Sequence, residues 1–272
     1  MTTLVHLSDT HFGRDVDLEQ INALESLIPT LNPAVIVISG DLTQRGRHGE
    51  FQRALAFVER LRLTAPVHVI PGNHDVAWWA TPFGVLGTDR LTVKYRRYFG
   101  EDLTPTLELA GLLIASALTS HGVAFGSMTW KFWRDPAVKG HLPRAEAARV
   151  AARFQTGADA FKVVVLHHNV IRGQISRRMG LAHWQWAADA LVSTGADLVL
   201  CGHDHQEGAA ALGGMVISTA GTHTSRTRGH RPSAFNVIDV DGQSILIRHQ
   251  IWDRTTRTFR PSQPVRFPRR GR

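Results

Sequence analysis

The chain has 272 residues, of which 43% are apolar, and a formal net charge of +8. This length and apolar content suffice for one sizeable core, and no stretch approaches the roughly 20 consecutive apolar residues of a membrane span. The single cysteine, Cys201, excludes an intrachain disulfide. The first strand is predicted close to Met1, which leaves no room for a secretory signal, so we expect a cytoplasmic protein.

The positive charge is concentrated at one end of the chain. Residues 252–272 contain seven arginines and one acidic residue, and the remainder has 24 basic against 22 acidic residues. A basic end can attract anionic partners, but it is weaker evidence for nucleic-acid binding than a basic face. We therefore do not expect nucleic acid as a partner, and we predict a single domain over residues 1–260 followed by a basic C-terminal tail at 261–272.

Strands and helices alternate in the predicted first half. Runs rich in Val and Ile predict buried strands at residues 4–8, 35–40 and 67–72. Apolar residues at helical spacing predict one helix that ends before Pro33 and a second over residues 51–61. The order β-α-β-α-β predicts a parallel sheet with crossover helices.

The second half of the chain predicts a mixed second sheet that packs on the first. Apolar alternation and turn signals indicate short strands and two hairpins there, together with two helices. The predicted elements are strands at 107–116, 123–127, 163–166 and 198–202, helices from about Pro143 and over 181–192, and hairpins at 209–220 and 234–251.

Polar clusters stand where five of the predicted strands end. In open sheets of this type, ligands bind beyond the carboxyl ends of the strands. Carboxylate, carboxamide and imidazole groups gathered at one edge predict a metal site, and nitrogen and oxygen donors without sulfur suit Mn, Fe or Zn. A single buried histidine is usually a hydrogen-bonded core residue, but five clusters in sequence favour metal binding. The clusters are Asp9 and His11, Asp41, Asn73 to Asp75, His167 and His168, and His203 and His205.

Five motifs of the chain resemble the signature blocks of the calcineurin-like metallophosphoesterases, and they occur in the same order. They are Asp9-x-His11, Gly40-Asp41, Gly72-Asn73-His74-Asp75, His167 and Gly202-His203-x-His205. The resemblance implies an α/β fold, a four-layer α/β/β/α sandwich with two mixed β-sheets. It also implies two divalent metal ions, one held by Asp9, His11, Asp41 and His205 and the other by Asp41, Asn73, His167 and His203.

The same resemblance implies hydrolysis of a phosphoester. The nucleophile would be a hydroxide that bridges the two metal ions, so that no protein nucleophile is needed. His74 is the expected general acid, or a cation that stabilises the transition state. Asp75 is expected to orient that imidazole, with a helix N-cap as its alternative role. Many relatives carry His-His-Pro at the fourth block, where this chain has Asn169. We expect His167 to face the metal, with His168 as the alternative.

Two motifs narrow the substrate class. Residues 8–11 and 39–43 are similar to the corresponding segments of class III cyclic-nucleotide phosphodiesterases and glycerophosphodiester hydrolases. The leading hypothesis is therefore a phosphodiesterase that acts on a small substrate such as a cyclic nucleotide or a glycerophosphodiester. The alternatives are a phosphomonoesterase, a nuclease and, in a different class, a non-catalytic metal-binding scaffold.

Several side chains are candidates for substrate contacts in addition to Asn73. Aromatic rings could stack on a base or contact a lipid-like group, although capping of the core edge is the alternative. An arginine could bind a second phosphate oxygen. A homodimer is also a possible assembly, because two-fold dimers are the commonest assembly. The candidates are Trp78, Trp79 and Phe83, then Trp130, Phe132 and Trp133, and finally His223, Arg226 and Arg228.

Overall fold

The computed structural model describes residues 1–85, 89–128, 139–157, 159–173, 179–224, 227 and 231–270. The strands in these residues are β1 (Thr2–Leu7), β2 (Val35–Ile38), β3 (Val67–Val69), β4 (Thr106–Leu109), β5 (Leu112–Ser116), β6 (Phe161–Val165), β7 (Leu198–Cys201), β8 (Gly208–Leu212), β9 (Met215–Thr219), β10 (Ala234–Val240), β11 (Ser244–Asp253), β12 (Thr258–Pro261) and β13 (Val265–Pro268). The α-helices are α1 (Leu18–Leu27), α2 (His48–Arg62), α3 (Asp89–Phe99), α4 (Arg144–Gln155) and α5 (Trp184–Ser193).

The strands form two mixed sheets. The first sheet has the order β12-β11-β10-β1-β2-β3, with β13 also paired to β11, and the second has the order β4-β5-β6-β7-β9-β8. Strands β1, β2 and β3 run parallel in the first sheet, as do β5, β6, β7 and β9 in the second. The carboxyl ends of these parallel strands provide the edge at which a site was predicted.

Three apolar layers hold the sheets and helices together. Between the sheets, side chains such as Leu4 and Val37 of the first sheet pack with Val163 of the second. Successive residues of a strand point to opposite faces, so the neighbours of these residues face outward. There the first sheet packs against α1 and α2, with Phe57 in the contact, and the second packs against α4 and α5, with Leu191 in the contact. This arrangement confirms the predicted four-layer sandwich.

The helix boundaries follow from local signals in the sequence. Asp17 caps α1, because its side chain accepts hydrogen bonds from the backbone N–H groups of Glu19 and Gln20. A 3₁₀ turn over Ile28–Leu31 then ends the helical segment before Pro33. At α2, the Glu50 carboxylate accepts hydrogen bonds from two backbone N–H groups that precede the helix. These caps explain why the two crossover helices lie where the periodicity predicted them.

Three elements differ from their sequence predictions. Residues 107–116 form the β4–β5 hairpin rather than one strand, because the chain reverses at Gly111, which has a φ of 75°. Residues 123–127 do not form a strand, and Phe125–Ser127 is a 3₁₀ turn. Helix α3 was not predicted; its buried residues are Leu91, Thr92 and Tyr95, and charged residues interrupt the apolar pattern. The two predicted hairpins are confirmed, but β8–β9 joins the second sheet and β10–β11 the first.

The basic C-terminal segment lies on the domain through residue 270. Strand β13 pairs with β11 in antiparallel register. Beyond it, the Arg269 guanidinium lies 3.2 Å from a carboxylate oxygen of Asp197 and donates to the carbonyl of Ala160. Arg270 donates to the carbonyl of Val192 at 2.9 Å. The division of the chain at residue 260 stays a prediction, although these contacts join residues 261–270 to both sheets.

The helices set one further limit on the architecture. Within the described part of the chain, every helix is too short or too polar to cross a bilayer.

The Arg269–Asp197 pair provides a test of this C-terminal attachment. The Asp197 side chain is 4% exposed, so removal of its cationic partner leaves a buried carboxylate without full compensation. We expect Arg269→Ala to lower the free energy of unfolding by about 2 kcal/mol. Arg266→Ala is the matched control, because that arginine is exposed and its guanidinium donates to the Ser244 hydroxyl rather than to a buried carboxylate; we expect a change within about 0.5 kcal/mol. Urea denaturation at pH 7 measures both, and equal effects would contradict the proposed attachment.

Candidate metal centre

The candidate site lies where the carboxyl ends of parallel strands from both sheets meet. The first sheet supplies three loops, and the second supplies two that face them. Asp9 and His11 follow β1, Asp41 follows β2, Asn73 and His74 follow β3, His167 follows β6, and His203 and His205 follow β7.

One group of donor atoms joins the loops after β1, β2 and β7. His11 Nε2 lies 3.0 Å from His205 Nε2 and 3.7 Å from Asp41 Oδ2. Asp9 Oδ1 lies 3.2 Å from His205 Nε2 and 3.6 Å from His11 Nε2. These four side chains are the set that the resemblance assigned to one metal ion, and the structure brings them together.

A second group of donor atoms joins the loops after β2, β3, β6 and β7. Asn73 Oδ1 lies 3.0 Å from His167 Nε2 and 2.9 Å from His203 Nδ1. His167 Nε2 lies 3.3 Å from Asp41 Oδ2, the same oxygen that faces the first group. Asp41 therefore stands between the two groups and has one carboxylate oxygen in common with both.

The spacing of these donors fits metal coordination. Donors that surround one ion at about 2.1 Å are about 3.0 Å apart along an octahedral edge and about 3.4 Å along a tetrahedral edge. The separations given above run from 2.9 to 3.7 Å. The donors are imidazole nitrogens and carboxylate or amide oxygens, a set that suits first-row transition metals. Each group is thus a candidate site for one divalent ion.

Backbone carbonyls fix the orientation of two of these imidazoles. His167 Nδ1 lies 2.8 Å from the Ser39 carbonyl, and His11 Nδ1 lies 3.3 Å from the Thr43 carbonyl. A carbonyl only accepts hydrogen bonds, so Nδ1 carries the proton in both rings. In the neutral form of each ring the lone pair is then on Nε2, the nitrogen that faces the other donors and that a metal ion would use in place of a proton.

The electrostatics of the centre favour positive charge. Burial opposes a charge on His167, but the nearby carboxylate of Asp41 outweighs it and raises the pKa of His167 to about 9. Burial likewise opposes the charge on Asp41, yet the attraction of His167 and His74 holds the pKa of Asp41 well below its usual range. Two buried carboxylates surrounded by imidazoles therefore need cations beside them, either protons or metal ions.

Five of the candidate ligands have a left-handed backbone conformation. Residues other than glycine rarely adopt a positive φ, although Asp, Asn and His do so more readily than most. Such conformations persist where the surrounding structure over-determines them, which is common at functional sites. The φ values are 52° for Asp9, 43° for His11, 53° for Asp41, 71° for His203 and 55° for His205.

Two glycines let the loops approach each other closely. A Cβ at Gly72 would lie 2.1 Å from Asp41 Oδ1. A Cβ at Gly202 would lie 1.9 Å from Ser8 Oγ and 2.4 Å from Asp9 Oδ2. All three separations are far below van der Waals contact, so a larger residue at either position would displace a candidate ligand.

His74 lies at the rim of the first donor group. Its Nδ1 donates to the Gln44 carbonyl at 2.7 Å, and its backbone N–H donates to Asp41 Oδ1 at 2.8 Å. The ring packs edge-on against His11, with a centroid separation of 4.8 Å. These contacts hold a half-buried imidazole near the centre, with ligand atoms of His74, His11 and Asp41 within 4.8 Å of one another.

Asp75 has a different position from the one expected. Its carboxylate accepts hydrogen bonds from the backbone N–H groups of Leu42, Thr43 and Gly72, and from the Thr43 hydroxyl. The expectation that Asp75 orients the His74 imidazole is therefore corrected, because the Gln44 carbonyl does so. The alternative of an Asp75 N-cap is also wrong, because Gly72 is the N-cap of the 3₁₀ turn Asn73–Asp75 and Asp75 is its last residue. The contacts with Leu42 and Thr43 tie the loop after β2 to the loop after β3.

The candidate substrate-binding residues are divided between the cleft and the core. Trp78 is half-buried and packs edge-on against His74, and its indole N–H donates to the Asn73 carbonyl. The side chain of His223 is 0% exposed and lies beside the rings of Phe235 and Phe259. His223 is thus a core residue that cannot contact a substrate, which corrects its assignment.

The remaining candidates are as follows. Trp79 is exposed, and Phe83 packs on Phe125 at the surface. His168 Nδ1 lies 2.8 Å from the Thr119 hydroxyl, and the His168 ring packs beside the His203 ring at a centroid separation of 4.6 Å. Arg226, Arg228, Trp130, Phe132 and Trp133 lie outside the described residues.

Sequence analysis missed several groups that orient the site. The carbonyls of Ser39, Thr43 and Gln44 each accept a hydrogen bond from an imidazole of the centre. The Thr222 hydroxyl donates to the Asp9 carbonyl at 2.7 Å. Backbone carbonyls carry no residue-specific signal, so only the folded chain identifies them. The polar run at residues 43–44, directly after Asp41, was the nearest available hint.

Comparisons with known proteins identify relatives of this chain. The sequence profile of the calcineurin-like phosphoesterase family matches residues 2–207. The glycerophosphodiester phosphodiesterase GpdQ of Enterobacter lignolyticus is 29% identical over 182 residues, which are 61% of this chain and 56% of that protein. The chain thus spans little more than half the length of this curated relative.

Solved structures show the same fold at low sequence identity. A dimetal phosphatase from Danio rerio superposes with a TM-score of 0.68 at 13% identity, over 98% of this chain and 99% of the other. The purple acid phosphatase PPD1 from yellow lupin (Lupinus luteus) gives a TM-score of 0.66 at 12% identity, over 98% of this chain and 54% of the other.

The close approach at Gly202 can be tested with a matched glycine in the same segment. We expect Gly202→Ala to weaken Mn²⁺ binding at least about tenfold, because the new methyl group must push against Asp9 and Ser8. Gly208→Ala is the control, since a Cβ there meets nothing within 4 Å, and its affinity should stay within about twofold. Calorimetric titration of the metal-free proteins measures both. Wild-type affinity in Gly202→Ala would refute the steric explanation.

Proposed function

Because the chain belongs to the calcineurin-like phosphoesterase family, we propose that it is a phosphodiesterase that depends on two divalent metal ions. The observation that carries the proposal is the pair of donor groups with Asp41 Oδ2 in common, 3.7 Å from His11 Nε2 and 3.3 Å from His167 Nε2. A binding scaffold has no need for a half-buried imidazole such as His74 close to Asp41 and His11. The substrate is a small phosphodiester.

In this proposal seven side chains hold the two ions. The metals are Mn, Fe or Zn, in accordance with the nitrogen and oxygen donors. Asp9, His11, Asp41 and His205 hold one ion, and Asp41, Asn73, His167 and His203 hold the other.

The bound ions would supply electrophilic activation of the phosphoryl group and of an attacking water. The protein contributes the balance of charge. Asp9 and Asp41 bring two negative charges, so two divalent ions leave a net positive centre that attracts an anionic phosphodiester. The Asn73 amide adds an oxygen donor without adding charge, which preserves that excess. Burial of both carboxylates keeps this attraction from being screened by water.

His74 is the residue proposed to protonate the leaving alkoxide. Its Nδ1–H is committed to the Gln44 carbonyl, so a second proton on this ring resides on Nε2. Transfer of that proton to the departing ester oxygen prevents the build-up of alkoxide charge. The Trp78 ring packs against this imidazole and limits its rotation, while Asp75 holds the supporting loops together.

The substrate class follows from the relative and from the rim of the cleft. The relative of 29% identity is a glycerophosphodiester phosphodiesterase, which supports a diester with a small polar alcohol. The half-buried Trp78 ring lies near His74 and could also stack on a base. We therefore propose a glycerophosphodiester as the substrate, with a cyclic nucleotide as the second choice.

A substrate panel tests the proposed function. With added Mn²⁺, we expect hydrolysis of bis-p-nitrophenyl phosphate and of glycerophosphoethanolamine, slower hydrolysis of p-nitrophenyl phosphate, and loss of all activity with chelator. Asp41→Asn should lower kcat/KM at least about 100-fold, since it removes the charge between the two ions. Asp241→Asn, at an exposed turn, is the control and should match wild type. Faster turnover of the monoester would replace this proposal with a phosphomonoesterase, and activity unaffected by chelator would reject metal dependence.

The role of His74 predicts a dependence on the leaving group. Nitrophenolate departs without a proton, whereas an alkoxide needs one. We expect His74→Ala to lower kcat/KM about 100-fold or more for glycerophosphoethanolamine, but less than about tenfold for bis-p-nitrophenyl phosphate. His48→Ala, an exposed histidine, is the control. Steady-state kinetics on both diesters measure the difference, and an equal loss on the two substrates would exclude His74 as the general acid.

A further inference from the structure

A row of polar side chains crosses the first sheet on the face that packs against the second. Strand pairing places His249 beside Asn236, Asn236 beside His6, His6 beside Val37, and Val37 beside His68. The rest of this inter-sheet layer is built from Val, Leu, Ile and a few other apolar side chains. His6 and Asn236 are fully buried, and His68 is nearly so. Four polar groups at one level of an apolar layer therefore need a structural reason.

The second sheet has a matching row at the facing level. Pairing places Ser116 beside Val165, Val165 beside Leu200, and Leu200 beside Ser218. Both serines are fully buried. The two hydroxyls thus stand at the ends of the row, with apolar side chains between them.

Hydrogen bonds join the two rows at both ends. His68 Nε2 lies 2.6 Å from Ser116 Oγ. At the other end, Asn236 Nδ2 donates to Ser218 Oγ at 2.8 Å, and His249 Nδ1 lies 2.7 Å from Asn236 Oδ1. The His68–Ser116 and Asn236–Ser218 bonds each join one sheet to the other, whereas the His249–Asn236 contact lies within the first sheet. The rows therefore form two crosslinks through the interior.

The crosslinks lie directly below the candidate metal centre. His167 comes two residues after Val165, just beyond the end of β6, and Asp9 comes three residues after His6, just beyond the end of β1. The first sheet supplies four candidate ligands, Asp9, His11, Asp41 and Asn73. The second sheet supplies the other three, His167, His203 and His205. A distance such as the 3.0 Å from Asn73 Oδ1 to His167 Nε2 therefore depends on how the sheets are placed against each other.

Apolar packing alone does not define that placement. Hydrophobic burial is non-directional and tolerates small shifts of one sheet over the other. A buried hydrogen bond does not, because a shift leaves both the donor and the acceptor without a partner. The crosslinks thus select one position of the two sheets among several that bury the same apolar area.

We infer that the His68–Ser116 and Asn236–Ser218 pairs are positioning residues, which set the separation between the two halves of the metal centre. None of the four belongs to a donor group. The inference rests on the proposed dinuclear site. It assigns a structural role to a buried polar row whose side chains take no part in the proposed chemistry.

The charge state of the row is consistent with this role. Burial lowers the pKa of His68 to about 4 and the pKa of His6 to about 3. Both imidazoles are therefore neutral near pH 7, so the row places no positive charge beneath the cations.

The double variant Ser116→Ala/Ser218→Ala removes both hydroxyls with little change in volume. We expect Mn²⁺ to bind about tenfold more weakly at one of the two sites, as measured by calorimetric titration of the metal-free protein. Electron paramagnetic resonance of the Mn²⁺-loaded protein should show altered coupling between the ions, since the coupling depends on their separation. Val163→Ala is the control. It removes apolar volume one pleat deeper in the same layer, so it should lower the melting temperature but leave affinity and spectrum within about twofold of wild type.

The outcomes separate this inference from the proposed function. Wild-type affinity and spectrum in the double variant would overturn the inference and leave the dinuclear site intact, as would an equal loss of affinity in Val163→Ala. Failure of the wild-type protein to bind two Mn²⁺ ions would overturn the proposed function, and the inference with it.

Discussion

One carboxylate oxygen connects the two halves of this protein. Asp41 Oδ2 faces His11 on one side and His167 on the other, and these histidines come from different sheets. Everything else at the site serves to bring side chains from separate strands to this oxygen. Two sheets packed face to face achieve this because the carboxyl ends of their parallel strands open at the same edge. The four-layer fold is therefore the means by which five distant segments meet.

The meeting of these loops is unfavourable in isolation. Five candidate ligands have a positive φ, and each such residue costs on the order of 1 kcal/mol. Two carboxylates are also buried among imidazoles, an arrangement that is stable only with balancing positive charge. The three apolar layers offset these costs through burial. Strain is thus concentrated at the loops, and the rigid sheets beneath them keep the loops in place.

Sequence reasoning found the ligand clusters because each one directly follows an apolar run, and strand ends are easy to read from such runs. It failed where tertiary contacts decide the outcome. Asp75 follows Asn73 and His74 in the same polar cluster. Its carboxylate nevertheless accepts hydrogen bonds from the backbone N–H groups of Leu42 and Thr43, more than 30 residues away in sequence. His223 was expected to be accessible to a substrate, but it is buried beside the rings of Phe235 and Phe259. The inter-sheet polar row was equally invisible, because only strand register aligns its members.

The pairing of β1 with β10 has a consequence for biosynthesis. Thr2 lies opposite Val240, and His6 lies opposite Asn236. Strand β1, which leads to Asp9, therefore lacks its neighbouring strand β10 until most of the chain has been translated. At roughly 5–20 residues per second, the ribosome needs about 10–40 s to pass from Asp41 to Asn236. Contacts so distant in sequence also form slowly. A nascent chain consequently presents its earliest histidines and carboxylates to the surrounding solution before their final partners exist, and a chaperone or a loosely held ion would meet them first.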